Sequence, residues 1–438
     1  MKTIAKVSLI FLLFSCLSLL LVACSKDSSD KTSSNGNAEN EKAVTEDEGE
    51  KEPVTLKVLV HWSEEMFNER FKDPVEAALP HITLEHVQSG SGREDLEEVF
   101  ASGENPDIFF EVSHENLEYF ELDYDLDELV EKHSYDLSHI NPVYLDSIRA
   151  KDKERRLLGL PYEVINYVLI YNKDIFDLFG EDYPSNNMTW SEAIELGKRL
   201  TGERNGVFYR GLDLANTDVP LMQLAVNKTD PETGEVLLDQ PEFTRYFELL
   251  DQIIDLQGDS DGDHFDGGRF PEKQTTAMTV EFVQGLNWWK DDESLNPAVA
   301  PLPVWDGGPA VSHRPDGGLI PLSINPNSEH KDAAFEVLTY FTEDEYQLFA
   351  SRQGIGPSTK NEEVLKEFFQ DYDFADESNV ASMFEHPPAT PPEQISTWDQ
   401  YVDLDPRRYA TSGMDRNEYL RVITEESEAK ILEAKGSE

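Results

Sequence analysis

The sequence predicts an α/β protein built as two units. Three observations carry this. Strand-like and helix-like segments alternate between Thr55 and Phe110 with short connections, a β-α-β-α-β order that argues for parallel pairing in an open sheet. A second alternating run begins at Tyr167. The 438 residues also exceed the size at which one hydrophobic core stops growing, about 250–300 residues.

In the first run, TLKVLVHW (Thr55 to Trp62) is β-branched and alternating, as a strand requires. The apolar spacing from Glu64 to Ala78 predicts a helix that stops near Pro80. ITLEHV (Ile82 to Val87) reads as the second strand, Arg93 to Ser102 as a helix closed by Gly103, and DIFF (Asp107 to Phe110) as the third strand. In the second run, YVLIYN (Tyr167 to Asn172) is continuous enough for a buried strand. Thr189 and Glu192 are spaced as a capping box opening a helix to Leu200. Phe243 to Leu256 has helical spacing, and TAMTV (Thr276 to Val280) and GGLIPLSI (Gly317 to Ile324) read as strands. Lys331 to Phe341 follows as a helix. Thr342 and Glu345 predict a second capping box and a helix to about Gln353, and Arg416 to Leu432 predicts a closing helix.

The N-terminus carries a different message. Lys2 and Lys6 precede an apolar run from Val7 to Ala23, the pattern of a secretory signal. Leu21-Val22-Ala23-Cys24 resembles the bacterial lipobox, which implies cleavage after residue 23 and a diacylglycerol on Cys24. An uncleaved spanning helix is the alternative, although the run sits at the lower length limit. Residues 24–53 hold mostly Ser, Asn, Gly, Glu and Lys, too little apolar area to offset ordering entropy, and read as a flexible linker. Both cysteines, Cys16 and Cys24, lie before the folded body, so a disulfide, a thiolate metal site or a cysteine nucleophile is not expected there.

Charge narrows the partners. With 37 basic and 88 acidic residues the net charge is −51, a field that repels nucleic acid and anionic lipid. No HExxH, P-loop, GxSxG or dinucleotide fingerprint occurs, and no cofactor is expected. SGSG (Ser89 to Gly92) sits between strand and helix, where backbone amides can hold an anion or hydroxyl, or simply turn the chain. Asp259, Asp261 and Asp263 alternate as in a calcium loop. His264 stands in place of the tight-turn glycine and Phe270 in place of the bidentate glutamate, so a solvated acidic loop is the preferred reading. Carboxylates are too numerous for any pair to name a glycosidase acid and base.

Several segments, taken in order, resemble the extracellular solute-binding proteins of family 1, the maltose-binding-protein-like receptors of ABC importers. They are ASGENPDIFF (Ala101 to Phe110), LPYEVINYVLIYNKDIFDLFG (Leu160 to Gly180), MTWSEAIELGKRLT (Met188 to Thr201), TTAMTVEFVQGLNWW (Thr275 to Trp289), the stretch from Gly317 to Gln347, and GIGPST (Gly354 to Thr359). One departure is visible: Glu281-Phe282 replaces the family's usual glycine after the Ala277-Met278 strand.

The resemblance implies a two-lobed periplasmic-binding-protein type II fold, with mixed five-stranded sheets flanked by helices and a ligand cleft between lobes. The expected lobes are 54–164 plus 313–356 and 165–312 plus 357–438, joined near Val164, Ser312 and Gly356. Strand ends would bring Trp62, Ser89, Gly90, Ser91, Glu111, Ser113 and His114 to that cleft from one lobe. Glu163 and Asn166 lie at the first crossover, Glu281 and Phe282 after the Ala-Met strand, and Arg314, Asp316 and Gly317 at the second crossover. Trp62 can offer its ring to a sugar face or plug the core; both readings stand. Trp190 is expected to pack within its own lobe, and at most one of the adjacent Trp288 and Trp289 can face the cleft. The implied function is a monomeric, lipid-tethered receptor that hands a small solute, a carbohydrate by preference, to importer permeases without catalysis. A non-sugar solute and a polysaccharide-cleaving lipoprotein are the alternatives.

Overall fold

Two separate β-sheets organise the chain from Lys51 onward. The structure is a computed structural model and describes residues 51–257 and 264–437. Its strands are β1 (Val54–Val60), β2 (Ile82–Gln88), β3 (Ile108–Phe110), β4 (Leu160–Val164), β5 (Tyr167–Asn172), β6 (Gly202–Arg204), β7 (Val207–Tyr209), β8 (Asp213–Leu214), β9 (Met278–Phe282), β10 (Pro297–Ala300) and β11 (Leu319–Ile324). The first sheet has the order β2-β1-β3-β11-β4 and the second β10-β5-β9-β8, while β6 and β7 form a small hairpin of their own. The second sheet therefore has four strands among the described residues, where five were expected.

The βαβ reading of the N-terminal run holds. Strand β1 pairs in parallel with β2, Val54 opposite Ile82, and with β3, Val58 opposite Ile108. Strand β11 arrives from far along the sequence and runs antiparallel to both β3 and β4. In the second sheet β5 is antiparallel to β9 and β10, and β8 is parallel to β9. Both sheets are mixed.

Strand alternation sends side chains to opposite faces, and the cores follow. From β1, Leu56, Val58 and Val60 join one core with Phe71, Phe110, Tyr162, Leu322 and Phe341, while Leu59 joins a smaller cluster with Leu96 and Phe109. From β5, Leu169 and Tyr171 meet Trp190, Phe247, Tyr409 and Tyr419, whereas Val168 and Ile170 meet Phe368, Phe369 and Met383. A continuous apolar strand is thus buried on both faces. The C-terminal residues supply much of the cover on the second sheet.

Local signals near the helix starts succeed or fail for identifiable reasons. At Thr189 the capping box forms: its hydroxyl accepts from Glu192 N at 3.2 Å and Glu192 Oε2 accepts from Thr189 N at 2.9 Å. Trp190 is then buried within its own half, donating from Nε1 to Gln223 Oε1 at 2.8 Å. At Thr342 the expected box does not form. Its hydroxyl donates to Thr339 O at 2.9 Å and lies 2.8 Å from the Tyr135 hydroxyl, and helix Asp344–Arg352 starts one residue later, after Glu343, with no side-chain cap. The first helix is interrupted by a π-helical turn, Asn68–Lys72. The last helix, Arg416–Ser437, runs beyond its predicted end. No helix among the described residues is long and apolar enough to cross a membrane.

Candidate ligand-binding site

Chain passages between the two sheets meet at a narrow waist. Val164, the last residue of β4, donates from its N–H to Gly356 O at 2.9 Å, and Ile165 N donates to Gly318 O at 2.7 Å. On the side of the second sheet, Val283 N donates to Asn166 O at 2.8 Å. The approach is so close that a Cβ on Gly356 would sit 1.7 Å from Val164 O, and one on Gly318 would sit 2.7 Å from Ile165 O.

One cavity of about 340 Å³ opens at this waist and is walled from both sides. Met66, Glu69, Arg70 and Glu163 come from the first-sheet side, and Gln284, Asn287, Trp288 and Tyr372 from the other. Trp288 is 70% exposed, with Phe282 edge-on at a ring separation of 4.9 Å. Trp289 turns away and packs on Phe270 at 5.6 Å. Of the two tryptophans, Trp288 is therefore the one that faces the cavity.

Glu163 is only 7% exposed, yet it lines this space. Burial pushes its carboxyl above the ordinary range, the Arg70 guanidinium 3.9 Å away opposes that push, and the nearby Glu111 adds to it. An acid raised in the folded state gives up stability as pH climbs, because the unfolded chain ionises first, near 4.5. Glu163→Gln removes this liability. Its thermal midpoint is expected to match the unliganded wild type near pH 4 and to rise above it progressively toward pH 7. A constant offset across that range, measured by thermal unfolding, would contradict the assignment.

A second cavity, of about 300 Å³, gathers five of the predicted residues: Glu111, Ser113, His114, Asp316 and Gly317. Glu111 follows β3 with φ at 56°, a left-handed backbone that few non-glycine residues adopt, and its N–H donates to Pro321 O at 3.2 Å. Its carboxylate lies 3.9 Å from His61 Nδ1. Ser113 caps the following helix by accepting from Asn116 N. Burial lowers the His114 imidazole, which favours its neutral form. Gly317 is pressed against Met222, whose Cε would lie 2.6 Å from an added Cβ.

The other predicted residues divide among different surroundings. Glu281 accepts from Asn216 Nδ2 and from Phe282 N, and burial raises its carboxyl in spite of those bonds. Arg314 pairs with Asp316 at 2.5 Å and lines a separate cavity with Lys228 and Asp399. Asn166 faces a fourth cavity with Tyr167 and Thr359 while its amide donates to Val164 O at 2.9 Å. Ser89, Gly90 and Ser91 do not line the cavities that hold Glu111 or Glu163; Ser91 O instead accepts from Asn116 Nδ2 at 3.0 Å. The calcium candidates Asp259, Asp261 and Asp263 lie outside the described residues, as do Cys24 and the export segment.

Of the two readings left open for Trp62, its surroundings favour the core plug. It is 8% exposed, and its ring sits against Phe110 at 4.5 Å, Tyr162 at 5.9 Å and Phe71 at 6.5 Å, with the Arg70 guanidinium 5.4 Å from its centroid. The core takes the ring because three aromatic neighbours from different elements surround it. Sequence reasoning also passed over Arg70, Gln284 and Asn287. The Trp288-Trp289 pair was the only local hint of that wall.

Residues 64–348 match the family of bacterial extracellular solute-binding proteins. The chain belongs to that family. Solved structures with the same two-lobed fold include a sugar transporter from Rhizobium etli in an open conformation, at TM-score 0.67 and 19% identity, covering 86% of this chain and 99% of that one. The sugar-binding protein MalE from Xanthomonas citri gives TM-score 0.67 at 17% identity over 88% of this chain and 100% of its own. An ABC substrate-binding protein from Listeria monocytogenes, solved with cycloalternan, gives 0.64 at 18% identity over 87% and 99%. In sequence, the arabinooligosaccharide-binding protein of Halalkalibacterium halodurans is 27% identical over 187 residues, 41% of this chain and 38% of that protein. The matched stretch thus spans well under half of that relative.

Proposed function

We propose that this chain is the surface receptor of an ABC importer. It captures a carbohydrate, an oligosaccharide by preference, between lobes 54–164 plus 313–356 and 165–312 plus 357–438, and delivers it to membrane permeases. It acts as a monomer and without catalysis, tethered outside the cell by acyl chains on Cys24 after removal of residues 1–23. An intact mass for the mature N-terminal peptide without added lipid would remove the tether.

The observation that carries the reading is Trp288, an exposed ring at a cavity whose opposite wall presents Glu163 and Arg70. An aromatic platform takes the C–H face of a sugar while charged and amide groups orient its hydroxyls. The names of the arabinooligosaccharide-binding relative and of the cycloalternan-bound Listeria protein point to the same ligand class. Closure about the waist is driven by contacts the ligand makes only in the closed state.

Calorimetry against arabino-, malto- and xylo-oligosaccharides, spermidine and organic acids tests this. A sugar is expected to bind without release of reducing ends. Trp288→Ala is expected to weaken that binding at least tenfold while leaving the unliganded midpoint unchanged, as for a surface side chain. Binding of spermidine alone, or cleavage of a polymer, would overturn the reading.

A further inference from the structure

A proline-rich stretch from Pro387 to Ser396 is held by both halves of the protein at once. It has no helix or strand of its own, and Pro387, Pro388, Pro391 and Pro392 restrict its backbone. Its first residues dock on the second crossover: Ser312 N donates to Pro387 O at 2.8 Å, and Ala389 N to His313 O at 3.2 Å. The His313 ring extends that anchor to the first crossover. Its Nδ1 lies 3.0 Å from Arg314 O and donates there, which leaves Nε2 to accept from Tyr167 N at 3.2 Å.

Beyond the anchor, neighbouring residues are gripped from opposite sides. Ile395 N donates to Ala150 O at 2.7 Å, and Arg155 Nη1 donates to Glu393 O. Ala150 belongs to helix Pro142–Lys151, whose Tyr144 and Ile148 pack in the first-sheet core. Gln394 O instead accepts from Asn227 Nδ2 at 2.8 Å, and the adjacent Val226 packs on the second-sheet core. The second grip is the firmer one: Asn227 Oδ1 also accepts from Ser396 N at 3.4 Å, and Thr229 Oγ1 lies 2.7 Å from Ser396 Oγ in the interior. The waist stands open in this arrangement, since Trp288 is 70% exposed on one wall of its cavity and Met66 is 41% exposed on the other. Rotating the halves together carries Asn227 with one and Ala150 with the other. A stretch stiffened by prolines has little slack to follow both, so the weaker grip opens.

We propose that residues 387–396 form a latch that holds the waist open, with Arg155 as its positioning residue on the first half. The proposal rests on the receptor reading above, in which a solute is bound by closure. Bonds made only in the open arrangement lower affinity, because they reduce the fraction of molecules able to close. Arg155 lines neither the cavity that Trp288 faces nor the one that holds Glu111, so it acts on affinity through closure and not through contact.

The test uses the full-length wild type, Arg155→Asn, Pro392→Gly and Asp146→Asn proteins, with the tightest-binding member of the calorimetric panel. Asparagine suits position 155 because it tolerates the left-handed backbone found there, φ at 56°. Arg155→Asn is expected to tighten binding about three- to tenfold, the worth of one hydrogen bond opposing closure. Pro392→Gly supplies slack and should shift affinity in the same direction by less. Asp146→Asn removes only the ion pair that Arg155 makes within the first half, at 3.6 Å, and should bind as wild type does. In wild-type protein the ligand should speed hydrogen exchange at the Ile395 amide, whose bond to Ala150 opens on closure. That arm needs no mutant, so it decides the matter even where a variant fails to fold. An Arg155→Asn protein that binds no tighter than wild type, equal tightening in Asp146→Asn, or an Ile395 amide that ligand does not expose overturns the latch while the receptor reading stands. A wild type that binds no member of the panel removes both.

Discussion

Replacing Trp62 with alanine is expected to lower the unfolding free energy of the unliganded protein by about 3–5 kcal/mol. The ring fills a position enclosed by Phe71, Phe110 and Tyr162, with Arg70 over it. These partners come from a helical turn, the end of β3 and β4, so the lost contacts cannot be recovered by local collapse of one element. Transfer and cavity terms therefore add. Denaturant unfolding without ligand measures the effect. A midpoint within error of wild type would show that Trp62 is a cleft residue after all. The contrast with Trp288→Ala sharpens the claim: two tryptophans, one costing stability and the other affinity.

Gly356→Ala is expected to cost about 3 kcal/mol and to impair closure. The added methyl would lie 1.7 Å from Val164 O and 2.8 Å from Val164 C, both backbone atoms that no side-chain rotation can move away. Relief requires separating the passages that Val164 N and Gly356 O hold at 2.9 Å. Gly317 offers the comparison, because its added Cβ would meet only the flexible end of Met222. Gly317→Ala should accordingly be mild. Small-angle scattering with and without bound sugar, beside the unfolding midpoint, reads both consequences. A Gly356→Ala protein that unfolds and contracts on binding like wild type would sink the argument.

Much of the fold was legible because it rests on short-range patterns. The β-α-β-α-β run, the continuous apolar run of β5 and the Thr189 capping box are all set by residues within a few positions of each other. Legibility failed where a distant group intervened. Thr342 has the spacing of a cap, yet Tyr135 and Thr339 claim its hydroxyl. Strand β8 is two residues long and stands beside β9 only through parallel pairing, so no periodicity announces it. The candidate site was less legible than the fold. Glu163 was found at the crossover, but Gln284 and Asn287 look like ordinary polar helix residues until the fold sets them in the wall of the waist cavity.

By itself the sequence determined the α/β class, the parallel entry into the first sheet, a composition hostile to nucleic acid, and the segments by which the family is recognised. These depend on local spacing and on totals, which survive without coordinates. Only the tertiary structure decided that Trp62 is core and Trp288 is cavity wall, that β11 returns to sit between β3 and β4, and that Gly356 has no room for a side chain. Each of those depends on which remote residue arrives within a few ångströms, and burial, pairing and steric fit are properties of that arrival.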